Sequence, residues 1–196
     1  MNQGEREIIV GISGASGAII ASKTVDSLLS HNIATSLVIS NPGKMVWHRE
    51  VPETFGEALE RWTSSSLFKH YAIGDLTAPI ASGSHPSNGM VIVPASMGTI
   101  SAISTGMSNN LLRRAADVCL KEKRPLVLVP RESPLHSIHL DHMARLAHMN
   151  VTILPADPPF YLPISTIDES ADFTAYRILL ALNVINELPS HMQYKP

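Results

Sequence analysis

Short β-branched apolar runs alternate along the chain with segments whose apolar residues recur at helical spacing, and each run ends on small or hydroxyl-bearing residues. The first, "EIIVGIS" (7–13), closes on Gly and Ser. In "GASGAIIASKTVDSLLSH" behind it, Ile20, Val25, Leu28 and Leu29 fall largely on one side, giving strand, tight turn, helix. "NIATSLVIS", "GMVIVPAS", "RPLVLVPRE" and "NVTILPA" read as further strands, with helical patterns between them at about 100–120, 136–148 and 168–187. Such alternation implies a parallel sheet covered on both faces. The segment from about Pro52 to Ser87, with "TSSS" and "ASGSHPSNG", reads as a loop-rich excursion of the lid or binding-loop kind. Ligands of open parallel sheets sit beyond the carboxyl ends of the strands, which makes neighbours of "SGASGA", "SN", "PASMGT" and "PRE".

Composition narrows the function classes. With 196 residues and 44% hydrophobic content, the chain can bury a real core, and a single domain over 1–196 is expected. A net charge of −2 and a pI near 6.5 give no overall bias toward nucleic acid or acidic membranes, so any anion site must be a local concentration of Lys and Arg. A lone Cys119 cannot form an internal disulfide, and "MNQGEREIIVGISG" lacks the pattern of a secretion signal, so a cytoplasmic location is expected. No apolar segment approaches the roughly 20 residues that span a bilayer, and no repeat of solenoid period is present.

The first turn, "GISGASGA", places small residues and hydroxyls where a helix begins, and free N–H groups there favour an anion. It is not a Walker loop. Ser13 breaks the G-x-G-x-x-G fingerprint, and Ala18 stands where a nucleophile elbow needs Gly. "PASMGTISAISTG" sets Ser96, Gly98 and Thr99 at a second such turn. Uncharged donors of this kind suit a flat polar heterocycle with a phosphate tail, and flavin mononucleotide (FMN) is the commonest such ligand on a flavodoxin-like sheet.

Charge gathers in "RRAADVCLKEKRPLVLVPRE" (113–132), where nine of twenty residues are charged around a dry strand. Arg114, Asp117 and Lys121 share one helix face, opposite Leu112, Ala115, Val118 and Cys119; a solvated face with an ion pair is the plain reading. Arg131 and Glu132, directly after an apolar strand, point instead to a cleft. Lys121, Arg131 and Arg177 could together hold a phosphate. His136 and His139 have metal-ligand spacing but no accompanying His-Glu-x-x-His pattern, so no metal is expected. "LPADPPFYLP", ending near Tyr161, reads as a rigid loop over the sheet edge or a simple surface turn.

Taken together, "GISGASGA", "VIS", "APIASGS", "PASMGT", "NNLLRRAADVCLKEKRPLVLVPRESPL", "IHLDHM" and "LPADPPFY" resemble the UbiX-type flavin prenyltransferases over nearly the whole chain. The resemblance implies an α/β, flavodoxin-like (Rossmann-like) three-layer sandwich with a parallel sheet, assembled as a metal-independent homododecamer. It implies transfer of a dimethylallyl group from dimethylallyl phosphate to N5 and C6 of reduced FMN. The prenylated FMN would serve a UbiD-type decarboxylase. Carried over by motif, FMN contacts are Gly14, Ala15, Ser16, Ser40, Ser96, Met97, Gly98, Thr99 and Arg131. The prenyl phosphate would meet Lys121, Arg131, Tyr161 and Arg177, with Glu50 and Glu132 as acid–base carboxylates and Ser16 near flavin N5. An allylic phosphate leaves as an anion while its carbon gains cationic character, so cations around the phosphate and an uncharged surface near the carbon are chemically apt.

The chain departs from the family pattern with Ala95 in "PAS" for Cys, Leu76 where many members have Trp, and "HMQYKP" without the Trp some members carry. The rival readings are an FMN-dependent decarboxylase of the cysteine type, whose "PxMNxxMW"-like segment is not found, and a non-catalytic FMN-binding subunit of an aromatic-acid decarboxylase.

Overall fold

A computed structural model describes residues 6–194, so the first five residues of the N-terminal reading and the last two of "HMQYKP" lie outside the described residues. In chain order the elements are β1 (Glu7–Ile12), α1 (Ala18–Ser30), β2 (Ala34–Ile39), α2 (Asn41–Glu50), α3 (Phe55–Thr63), β3 (Phe68–Tyr71), β4 (Gly89–Ala95), α4 (Met97–Ser104), α5 (Leu111–Lys121), β5 (Leu126–Pro130), α6 (Ser137–His148), β6 (Thr152–Ile153) and α7 (Ile167–Ala181). The strands form one parallel sheet in the order β3-β2-β1-β4-β5-β6.

Alternation along each strand sorts the core into two layers. Ile8, Val10, Ile12, Leu37, Val91 and Val127 face α1, α2, α3 and α7, while Ile9, Val38, Met90, Ile92 and Leu128 face α4, α5 and α6. Every residue of β4 and β5 is buried, so these runs read as continuously apolar rather than alternating. The expected flavodoxin-like three-layer architecture is the observed one. Among the described residues no helix is long and apolar enough to cross a membrane.

Three sequence expectations need correction. The region 52–87 is not a loose excursion: it holds α3 and the edge strand β3. Helix α3 starts at a capping box, in which the Thr54 hydroxyl accepts from Glu57 N–H and the Glu57 carboxylate accepts from Thr54 N–H. "TFGE" carried that signal. Trp62 and Trp47 are fully buried and meet edge to face at 5.8 Å, with Phe55 and Phe68 each 5.5 Å from one of them. This aromatic cluster binds α2, α3 and β3 to the sheet. The pattern at 100–120 is two helices, broken where Gly106 takes φ 75° and Asn110 caps α5 by accepting from Arg113 N–H (3.0 Å). The last helix ends at Ala181 rather than near 187, with Asn183 in the left-handed conformation at φ 56° just beyond it.

Trp62→Ala should lower stability by about 3–5 kcal/mol through the cavity it leaves. Thr63→Ala, on the exposed side of the same helix, should cost under about 1 kcal/mol, and urea unfolding midpoints of the two variants measure the contrast.

Candidate functional site

From β1 the chain steps outward to β2 and β3, then returns past β1 to form β4. The C-terminal ends of β1 and β4 are therefore the point where strand order reverses, and the turns after them splay apart to leave a crevice. Ser13, fully buried, stitches these turns: its hydroxyl donates to the Pro94 carbonyl (2.9 Å) and accepts from Ser96 N–H (2.7 Å). The Ser96 hydroxyl caps α4 by accepting from Thr99 N–H (3.3 Å) and donates to Thr99 Oγ1 (3.1 Å). Ser40 caps α2 in the same way, accepting from Gly43 N–H (3.1 Å).

Gly14, Ser40, Pro42, Ser96, Gly98 and Thr99 line a cavity of about 320 Å³ at this crevice, joined by Ile73, Asn110, Leu112 and Arg113. A side chain at Gly14 would run into Pro42, so the close approach of the first two turns requires glycine. Nothing lies within 4 Å of where a Cβ on Gly98 would stand, which leaves the first turn of α4 open to a ligand. Ala15 and Met97 have buried side chains and can offer a ligand little beyond backbone groups. Hydroxyls, free amides at two helix starts and the apolar Ile73 and Leu112 fit a planar heterocycle with a polar tail, as FMN requires. Ser13, Ile73, Asn110 and Arg113 are cavity or seam residues that sequence reasoning missed. For Asn110 the signal was its position ahead of an apolar helical run.

Glu50 ends α2 and reaches back to the start of α1, where its Oε2 accepts from Gly17 N–H (2.7 Å) and Ala18 N–H (3.0 Å). Burial of this carboxylate end pushes its pKa up. The Ser16 hydroxyl, the two N–H groups and the nearby charge of Arg131 outweigh burial and hold the pKa below the ordinary glutamate value. Ser16, Glu50 and Arg131 thus gather at the start of α1, Ser16 standing two residues along the chain from the cavity wall at Gly14. Glu132, next in sequence, is exposed, and its carboxylate accepts only from Ser133 N–H among the described residues.

Tyr161 and Arg177 come together elsewhere, around a cavity of about 530 Å³ between β6 and α7 that Asp157, Phe173 and Thr174 also line. Tyr161 stacks edge to face on Phe173 (6.3 Å) and Tyr194 (5.7 Å). Arg131 and Arg177 form no salt bridge among the described residues.

Lys121 does not join them. It ends α5 at the amino end of the strands, pairs with Glu122 and lies against Gly83, in the segment leading into β4. Strand β5 separates Lys121 from Arg131 in the same chain, a gap on the order of 15 Å at the usual rise per residue. Nor does Lys121 pair with Asp117, which is held instead by Arg114 (2.8 Å). The His136 and His139 rings stack at 3.5 Å, and no group of three or more potential metal ligands occurs among the described residues. Cys119 is buried, which pushes its thiol up to about 12 and leaves it a packing residue.

Residues 1–179 match the Flavoprotein family model. Flavin prenyltransferase UbiX of Halalkalibacterium halodurans is 44% identical over 186 residues, covering 91% of this chain and 89% of that protein. Among solved structures, AnUbiX (PadA1) in complex with FMN and dimethylallyl pyrophosphate superposes with a TM-score of 0.86 at 35% identity, covering 91% and 93% of the two chains. A dodecameric FMN-dependent UbiX-like decarboxylase from Escherichia coli O157:H7 gives 0.83 at 37% identity, covering 88% and 92%.

Because folding lowers the Glu50 pKa, the unfolded chain takes up the proton more readily than the folded one. The stability this carboxylate contributes is whole above the ordinary glutamate range and is lost as pH falls through the folded value. Glu50→Gln removes that dependence, so the stability gap between wild type and variant should close on acidification from neutral pH toward pH ~3, followed by urea unfolding. A gap that stays constant with pH would show that Glu50 is not held as an anion.

Proposed function

Since the chain belongs to the UbiX flavin prenyltransferase family, within the wider Flavoprotein family, we propose that it joins the dimethylallyl group of dimethylallyl phosphate to N5 and C6 of reduced FMN. The observation that carries this reading is the crevice between β1 and β4, where the hydroxyl-lined cavity adjoins the Ser16–Glu50–Arg131 cluster. One flavoprotein domain supplies the fold, and a UbiD-type decarboxylase receives the product. The expected setting is the cytoplasm.

Bound reduced FMN supplies the nucleophilic ring atoms, and the protein does the rest. The turns at Gly14–Ser16, Ser40 and Ser96–Thr99 would hold the flavin with N–H and hydroxyl donors, fixing its orientation before reaction. Arg131 at the crevice, joined by Tyr161 and Arg177 from the separate β6–α7 cavity, would face the donor phosphate, where positive charge stabilises the departing anion more than the intact ester. Glu50, kept ionised by the start of α1 and in contact with the Ser16 hydroxyl, would accept the proton shed at C6, with Ser16 as the relay. Glu132 is the second carboxylate, positioned by its place beside Arg131.

Lys121 enters this scheme only from another copy, since its own chain holds it at the amino end of the strands, away from the crevice. The proposed homododecamer brings the α5 end of one subunit to the phosphate pocket of the next. That a UbiX-like neighbour is dodecameric supports an assembly of this order.

The same neighbour bears a decarboxylase description, so the assay must separate group transfer from decarboxylation. Incubation with reduced FMN and dimethylallyl phosphate should raise the mass of the extracted flavin by one five-carbon prenyl unit. An unchanged flavin would sink the proposal. Glu50→Gln should bind both substrates yet form product at least ~100-fold more slowly in a single turnover, at the low end of general acid–base effects. Arg177→Ala should raise the KM for the prenyl phosphate while sparing FMN affinity, its lost charge-assisted contact being worth about 1.5–3 kcal/mol; a fall in FMN affinity instead would remove Arg177 from the phosphate site.

A further inference from the structure

The segment 82–88, which leads into β4, is fastened by a single guanidinium. Arg124 donates through Nη2 to the Gly83 carbonyl (2.6 Å) and through Nη1 to the His85 carbonyl (2.9 Å) and to Ser87 Oγ (2.9 Å). His85 is pinned again from the other side, its Nε2 2.8 Å from Glu7 Oε2, while the other carboxylate oxygen of Glu7 accepts from the buried Ser36 hydroxyl. Three donors of one planar group on one short segment leave that segment little freedom.

Lys121 rests on this fastened backbone. A Cβ added at Gly83 would overlap the Lys121 ammonium and the Glu122 carboxylate that pairs with it. Yet the Gly83 backbone is not left-handed, so its conformation does not itself demand glycine. The overlapping atoms are the far ends of two flexible side chains, which can swing away at little cost to the fold. What an added methyl would change is where the ammonium stands.

We infer that Gly83 and Arg124 are positioning residues for Lys121: Arg124 fixes the backbone beneath it, and the bare Cα of Gly83 sets the place from which the ammonium meets the donor phosphate of the adjoining subunit. The inference rests on the reading of Lys121 as a phosphate ligand. In the absence of donor, Glu122 holds the ammonium at this seat, and the phosphate displaces it.

The test uses the assembled protein carrying Gly83→Ala, Arg124→Lys, Lys121→Ala and the double variant Gly83→Ala/Lys121→Ala. Measured for each are KM for dimethylallyl phosphate, kcat, FMN affinity and the unfolding midpoint. Gly83→Ala should raise KM about tenfold or more, the loss of one charge-assisted contact, with FMN affinity and midpoint unchanged. Arg124→Lys keeps the charge but loses the fork and should raise KM in the same direction. The double variant should be no worse than Lys121→Ala alone, since Gly83 acts only through that ammonium. If Lys121→Ala raises KM while Gly83→Ala leaves it at the wild-type value, the inference is overturned and the reading of Lys121 stands. If Lys121→Ala leaves KM unchanged, both fall. A Gly83→Ala variant that loses FMN affinity and stability along with KM would make the glycine a structural residue and overturn the inference as well.

Discussion

The Ser13 hydroxyl, donating to one turn and accepting from it again, is the stitch on which the site depends. A doubly covered parallel sheet has no room for polar atoms within its strands, so polar groups collect where the strands end. At the reversal of strand order two strand ends diverge, and only a short side chain with both donor and acceptor capacity can join them without filling the gap. Ser13 meets that condition with Pro94 O and Ser96 N–H. The capping of α4 by Ser96, and hence the aim of its first amides into the cavity, follows from that seam.

Electrostatics then divide the helix starts between the protein and its ligands. Glu50 occupies the start of α1 as a built-in anion, so an incoming phosphate is directed to the other donors and away from this helix. The same contacts favour the ionised form of the carboxylate. Arg131 sits close enough to influence Glu50 but forms no salt bridge among the described residues, which leaves its donors for an anion. Arg177 is similarly uncommitted. Cations left unpaired at the rim of a cleft carry more information about function than paired ones, and Arg114 with Asp117 shows the paired alternative on the same helix as Lys121.

Sequence periodicity was enough to place the interior strands, because β1, β2, β4 and β5 are almost wholly buried: β4 and β5 read as unbroken apolar runs, and β1 and β2 end in the apolar stretches IIVGI and LVI. It failed between Pro52 and Ser87, where α3 has only nine residues and β3 is a four-residue edge strand with Lys69 and His70 in it, so neither is long enough to show its period. The turns that build the cavity were legible from their hydroxyls and glycines. Ser13 was noticed only as a break in a nucleotide-binding fingerprint, since its seam with Ser96 spans 83 positions that no local pattern connects. The charge run at 113–132 read as one constellation because its members are close in sequence. Helix α5 and strand β5 run in opposite directions, so Arg113 and Arg131 near the two ends of that run both come to the carboxyl end of the sheet, while Lys121 to Arg124 in its middle lie at the amino end.

The sheet ends in two short strands, four residues in β3 and two in β6. Unpaired edges of this length offer too few free N–H and C=O groups to template strand addition from another molecule, and Lys69 on β3 adds a charged guard. Any contact between copies of this chain is thereby left to helix faces and loops, and a helix end such as that of α5 can be presented to a neighbour without risk that crowded molecules zip edge to edge into fibres.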